Sequence, residues 1–334
     1  MDYKDLVVLY GRGARHLDPS IEGDDGVTVE EFANNETYVA LNRSVRDQHV
    51  VFLQSFGRIP DNSDLSPNDL LMECIISCDA INRAGAKSLT VIFPLMPYTR
   101  QDRKHKGGVP ISARVVCDML QAVHVKRFIT FELHADQIQG FMSGTVFDHL
   151  SLLPYMCSQV EDLIYTMDNK PEDMCMCATD AGAIYRTRRT GELLKVYQLA
   201  IISKLRDKHN SVAGGQLIGD VKGKTCILVD DMVDTGGSLV KASDLLRENG
   251  ADKIVVMATH GVLSNDALDK LDLFDMVILT DTVPHCTPNL LAHKPNIEIV
   301  PLTPFLTDYL LPRINHKLPI GDLLDIKIWT DSNG

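Results

Sequence analysis

The sequence predicts an α/β protein of two domains, each with a mainly parallel central sheet flanked by helices. Three observations carry that expectation. At 334 residues the chain is longer than one ordinary hydrophobic core accommodates, since domains run to about 150 residues. Short apolar runs of strand length alternate with stretches of helical period, the order that lays parallel strands beneath crossover helices. Two of the helical stretches end on a glycine, Gly85 and Gly250, where a left-handed cap residue is wanted.

In chain order, strands are predicted at 50–54, 88–94, 127–133, 174–178, 225–229, 253–259 and 276–280, and helices at 68–84, 112–122 and 238–249. The domain junction is predicted within residues 148–154, dividing the chain into domains 1–148 and 149–334, with the last residues packing back on the first domain. A long polar connection, 205–223, carries Gly214, Gly215 and Gly219 with little apolar patterning and reads as a functional lid or a disordered segment.

Composition narrows the function. Apolar residues are 45% and charged residues 23%, which fits a packed globular chain and neither disorder nor a membrane protein. The 33 Lys and Arg are outnumbered by 45 Asp and Glu, and a net charge of -12 would repel a nucleic-acid duplex. No stretch approaches a membrane span, no signal peptide is visible, and a cytoplasmic location is expected. Eight cysteines are too dilute for a disulfide scaffold. Cys175 and Cys177 lack a second ligand pair at zinc spacing and read as core.

Four segments bear chemistry. TCILVDDMVDTGGS, 225–238, is an apolar strand ending in Asp230 and Asp231, then a turn of Asp234, Thr235, Gly236, Gly237 and Ser238 that opens a helix. Its backbone N–H groups and helix terminus suit a phosphate monoester, and its carboxylates suit sugar hydroxyls or a Mg²⁺ shell. The plain alternative is a capped strand-turn-helix. IFPLMPYTRQDRKHK, 92–106, gathers Arg100, Arg103, Lys104 and Lys106, with His105, around Gln101 and Asp102, as an anion site requires, though charge runs are usually solvated. FITFELHADQIQGF, 128–141, sets His134 just after a strand, and CATDAGAIYR, 177–186, sets Asp180 there. In open α/β sheets ligands collect at the carboxyl ends of strands, where all four segments place their polar groups. GDVKGKT, 219–225, resembles a P-loop but has three residues between its glycines and leads into a strand, so it is rejected.

Together YTRQDRK, ELHADQIQGF and ILVDDMVDTGGS resemble the ribose-phosphate pyrophosphokinases, over about residues 32–324. The resemblance implies two phosphoribosyltransferase-like domains, a homo-oligomer built from dimers and often hexameric, and active sites completed between subunits. It implies Mg²⁺-dependent transfer of the β,γ-diphosphoryl group of ATP to the anomeric hydroxyl of ribose 5-phosphate. On this likeness residues 234–238 take the sugar phosphate, with Asp230 and Asp231 towards the ribose hydroxyls. His134 and Asp180 match the metal positions, and Arg100, Gln101 and Asp102 fall in the ATP segment. Phe32, Asn34 and Glu36 match an adenine-contacting loop from a neighbouring subunit. Lys204 and Arg206 match the basic pair that closes over the transferring group, and with His134 they are the expected catalytic residues.

The chain departs from the family pattern in places. F-S-D-G-E becomes Phe32, Ala33, Asn34, Asn35, Glu36, so an amide replaces a carboxylate and nucleotide preference is open. P-D-x-G-G becomes Thr179, Asp180, Ala181, Gly182, Ala183, and KHKGGVP at 104–110 lacks the arginine and serine pattern tied to allosteric control. Two rival readings remain: a catalytically silent regulatory subunit, and a phosphoribosyltransferase that consumes phosphoribosyl diphosphate. The first should have lost His134 or the loop cations, and the second has no use for the 100–104 segment.

Overall fold

The computed structural model describes residues 6–18, 26–59, 65–165, 170–204, 215–287 and 291–324. The chain forms two compact units: Met1–Ser151 with Thr282–Thr287 and Leu302–Leu323, and Leu152–Asp281 with Pro288–Pro301 and Leu324–Gly334.

The first unit is built on five parallel strands in the order β1 (Leu6–Tyr10), β4 (His49–Leu53), β5 (Ser88–Phe93), β6 (Arg127–Phe131) and β7 (Val146–Leu150). A separate hairpin pairs β2 (Val27–Glu31) with β3 (Thr37–Leu41). Helix α1 (Pro67–Arg83) starts a residue before the predicted helix because proline suits the first helical position. Its N-cap Ser66 and Asp69 form a reciprocal capping box, and Gly85 follows its end at φ 86°. Helix α2 (Ser112–Ala122) has the predicted bounds. Strand β5 stops short of Pro94, which has no N–H to pair, and β6 stops before Glu132, whose φ of 39° breaks the ladder. A file of aromatic rings, Phe56, Phe93, Phe128 and Phe147, crosses the core edge to face at centroid spacings of 4.6, 5.0 and 4.9 Å. The returning segment joins this unit through Phe131 and Phe305, 5.5 Å apart, and through Thr303 Oγ1 donating to Leu17 O.

Under the turn after β1 lies a buried ionic network. Glu73 of α1, 0% exposed, accepts from Arg12 Nε at 2.7 Å, the Arg12 backbone N–H at 2.8 Å and Gln54 Nε2 at 3.0 Å. Arg12 Nη1 reaches on to Glu31 Oε1 at 3.1 Å, tying the end of β2 to the helix.

The second unit has seven strands in the order β10 (Gly215–Ile218), β9 (Leu199–Lys204), β8 (Met174–Ala178), β11 (Thr225–Val233), β12 (Lys253–Gly261), β13 (Met276–Thr280) and β14 (Ile297–Val300). All neighbours run parallel except β10 against β9. Helices α3 (Leu153–Tyr165), α4 (Ile184–Leu193), α5 (Gly237–Glu248) and α6 (Ala267–Leu271) complete it. Three expectations need correction. Residues 215–218 of the predicted polar connection are an edge strand, whose Ile218 is exposed and therefore gives little apolar signal; residues 205–214 lie outside the described residues. Strand β11 runs on through Asp230 and Asp231 to Val233, because β12 continues to pair with it beyond the last β8 partner. Helix α5 begins at Gly237, one residue early. Cys175 and Cys177 are both fully buried in β8.

From β8 the chain passes outward to β9, and it returns on the other side as β11. Connections that leave β8 and β11 in opposite senses open a crevice at their carboxyl ends, the usual ligand position in such a sheet. No described helix is long and apolar enough to cross a membrane.

Because Glu73 is buried beside a fixed guanidinium, Glu73→Ala should strand Arg12 and destabilise the first unit by about 3–5 kcal/mol in urea denaturation, with Glu73→Gln costing less. A loss below about 1 kcal/mol for the alanine variant would place the network at the surface in energetic terms.

Candidate active site

In the first unit the predicted ATP residues occupy two places. Phe32, Asn34 and Glu36 form the exposed tip of the β2–β3 hairpin. The Asn35 N–H donates to Phe32 O and the Phe32 N–H to Glu36 O, both at 2.8 Å. Asn35 stands at φ 65°, a left-handed position that asparagine tolerates and that glycine would fill in F-S-D-G-E. Asn34 Oδ1 accepts the Glu36 N–H at 3.3 Å, the side-chain turn an aspartate would also make, so the substitution keeps the tip's backbone and adds an amide donor. Phe32 meets Tyr38 edge to face at 5.8 Å.

Arg100, Gln101 and Asp102 follow β5 in an irregular segment, with Arg100 exposed. Gln101 is held to the start of α2, its Oε1 accepting from Ser112 Oγ at 2.5 Å and its carbonyl from the Ala113 N–H at 3.3 Å. Asp102 Oδ2 accepts from Gln137 Nε2 at 2.7 Å, which joins the RQD segment to the segment carrying His134. His134 is exposed in the turn after β6. That turn hangs on His149 of β7, which the sequence reading missed. His149 Nε2 accepts the Leu133 N–H at 2.9 Å, which leaves its Nδ1 proton towards Asp136 at 3.4 Å.

In the second unit Asp180 follows β8 and caps a short helical turn, its Oδ1 accepting from the Gly182 N–H at 2.9 Å and the Ala183 N–H at 3.2 Å. Ala183 has φ -82°, so no glycine is required there. Lys204 ends β9, opposite Gly215, and Arg206 lies outside the described residues. Asp234, Thr235, Gly236, Gly237 and Ser238 form the loop from β11 into α5, with Gly236 at φ 70° as the N-cap. A side chain at that angle would be strained, so the loop depends on glycine there. The Asp231 N–H, beyond the last β8 pair, donates to Asp230 Oδ1 at 2.9 Å.

Arg186 of α4 is a second residue the sequence reading did not assign. Its Nη1 stands 3.8 Å from Asp230 Oδ1 and 3.7 Å from Asp231 Oδ1, at ion-pair range of both carboxylates. The signal was present in CATDAGAIYR, but only the fold turns the arginine onto β11. Burial, and then the adjoining Asp231, pushes the Asp230 carboxyl up to about 7, and Arg186 offsets only part of that. Such a pair suits a ligand that brings hydroxyl donors or a cation. Among the described residues no three His, Cys, Asp or Glu side chains cluster for a metal. Mg²⁺ needs no such cage, since it keeps water and substrate phosphates as ligands beside one or two protein groups. Asp180, fixed by two N–H donors, is an oxygen ligand of the right hardness.

A carboxyl whose native pKa is raised weakens the fold as pH climbs from its unfolded value through its native one. In the absence of substrate and metal, Asp230→Asn should therefore match the parent near pH 4. Near pH 8 the variant should melt roughly 2–4 °C higher, allowing about 1 kcal/mol for a partly exposed group. Equal melting temperatures at the higher pH would show that the pair carries no strain.

Residues 21–123 match the N-terminal domain of ribose phosphate pyrophosphokinase, and residues 196–323 match the phosphoribosyl synthetase-associated domain. The chain is 35% identical over 314 residues to the ribose-phosphate pyrophosphokinase of Corynebacterium efficiens, covering 91% of each chain. It is 39% identical over 293 residues to that of Mycobacterium leprae, covering 84% of this chain and 85% of the other. The crystal structure of phosphoribosylpyrophosphate synthetase from Mycobacterium smegmatis superposes with a TM-score of 0.78 at 35% identity, over 94% of this chain and 100% of that one. On matches of this extent and identity, the chain belongs to the ribose-phosphate pyrophosphokinase family.

Proposed function

We infer that the chain is a ribose-phosphate diphosphokinase. It transfers the β,γ-diphosphoryl group of ATP to the anomeric hydroxyl of ribose 5-phosphate, releasing AMP and phosphoribosyl diphosphate. The observation that carries the reading is the β11–α5 segment, two carboxylates beside a glycine-bearing helix N-terminus, in a chain aligned along 91% of its length with such enzymes. The N–H groups of residues 234–238 bind the sugar phosphate, and Asp230 and Asp231 accept from the ribose hydroxyls.

Arg100, Gln101 and Asp102 bind ATP, with the Phe32, Asn34 and Glu36 tip of a neighbouring subunit against the base. The exposure of that tip, with Phe32 54% accessible, supports assembly into a homo-oligomer based on dimers. His134 and Asp180 are the residues we assign to Mg²⁺, which when bound supplies charge compensation on the polyphosphate oxygens. Lys204 and Arg206 add positive charge that offsets the charge on the transferring group. His134, Asp180, Lys204 and Arg206 are all retained, which argues against a silent regulatory subunit.

Incubation with ATP, Mg²⁺ and ribose 5-phosphate should release AMP, and chelation should stop it. No AMP with or without added inorganic phosphate would overturn the assignment. Lys204→Ala should lower kcat by roughly 10² to 10³ with a smaller change in ribose 5-phosphate KM, as expected for one lost charge-stabilising donor. Undiminished turnover in that variant would remove Lys204 from the reaction.

A further inference from the structure

In the second unit the connection from β12 to α6, and then α6 itself, lie along the end of β11 and the loop into α5, and they occupy three consecutive carbonyls there. The Leu263 N–H donates to Val233 O at 3.0 Å, the Ser264 N–H to Asp234 O at 2.9 Å, and Lys270 Nζ to Thr235 O at 2.9 Å. In a planar trans peptide the C=O and the N–H of the next residue point in opposite directions. Tying down these three oxygens therefore turns the N–H groups of Asp234, Thr235 and Gly236 the other way. Those are donors that a phosphate at the start of α5 needs.

The connection is itself built for this contact. Leu263 and Asn265 sit at φ 51° and 57°, left-handed positions that cost a non-glycine residue about 1 kcal/mol or more each. Such strain persists where surrounding contacts over-determine the backbone. Two of the three carbonyls are held by backbone donors, and the third by a side chain. Lys270 is aimed by Asp266, whose Oδ1 accepts from Nζ at 2.7 Å. Its stem lies across Gly236, with Cδ 3.5 Å from where a Cβ would stand. The left-handed glycine that opens α5 is thus covered by the same side chain that fixes the preceding carbonyl.

We propose that Lys270 is a positioning residue for ribose 5-phosphate, holding the 234–238 loop so that its N–H groups meet the sugar phosphate before substrate arrives. The inference rests on the assignment of that loop to the phosphate. A pre-set loop lowers the ordering cost of binding and leaves the chemical step alone, so its loss should appear in one KM.

Steady-state kinetics on the full chain test this. Lys270→Met keeps the stem over Gly236 and removes the ammonium. It should raise ribose 5-phosphate KM about tenfold, the size of one charge-assisted hydrogen bond, with kcat within about twofold and ATP KM unchanged. Lys270→Arg, which restores a cationic donor, should bring that KM back to within about threefold of the parent, and Asp266→Asn should give a smaller rise in the same direction. Should Lys270→Met fold poorly, judged by its melting temperature, the Asp266→Asn and Lys270→Arg pair decides the matter. Gly236→Ala separates the two levels of the argument. If it raises ribose 5-phosphate KM while the Lys270 and Asp266 variants do not, the positioning role is wrong and the loop assignment stands. If it leaves that KM unchanged, the loop assignment falls and this inference with it. An equal rise in both KM values for Lys270→Met, or a fall in kcat alone, would also overturn the proposal.

Discussion

Strand β11 is paired on both sides as far as Val229 and on one side only from Asp230 to Val233, and the second unit's site is built on that change. Up to Val229 each residue faces a partner in β8 and a partner in β12, and the strand is fully buried. Beyond it, one edge of the backbone is released while β12 still holds the other. Two carboxylates can then stand at the crevice without leaving the sheet, with Arg186 from α4 near both. The loop that follows can turn sharply through Gly236, because its opposite side is stitched to the β12–α6 connection. A strand ending at Val229 would leave Asp230 and Asp231 on a loop, with their separation and burial unset.

The molecule handles phosphate chemistry against a net charge of -12 by keeping charges local. Acids at the site are not solvent-facing excess. Burial and mutual proximity hold Asp230 reluctant to ionise, and Asp180 is already committed to two backbone donors. Positive potential comes from peptide N–H groups and the opening of α5 as well as from side chains, so it adds nothing to the count of Lys and Arg. The basic run after β5 is anchored through Gln101 and Asp102, which are tied to α2 and to Gln137, while Arg100 and Arg103 remain exposed. In the first unit the Arg12–Glu73 pair does a different job, linking the hairpin to α1 through one guanidinium.

Legibility followed burial. Strands β8 and β13 and helix α2 have the bounds their residues predict, since fully buried strands read as unbroken apolar runs and α2 carries a regular apolar face. The β2–β3 hairpin escaped because its residues are half-exposed and mix Glu30 and Glu31 with Val27 and Val29, and β10 escaped because an edge strand of four residues carries almost no pattern. Candidate site residues divided in the same way. Asp180, Asp230, Asp231 and residues 234–238 lie contiguous with a strand and could be found by reading along the chain. Arg186 and Lys270 could not, because each meets a segment tens of residues away in sequence.

The sequence alone determined the fold class, the family, and which residues are candidates for the site. Those properties depend on periodicity, turn chemistry and short motifs, which are local along the chain. Only the tertiary structure decided how far β11 extends, which cation stands by its two carboxylates, and which segment fixes the carbonyls that lead into α5. The reason is that β-pairing, ion pairs and peptide orientation are set by partners distant in sequence, and no local pattern encodes which partner a released strand edge or a lysine will find.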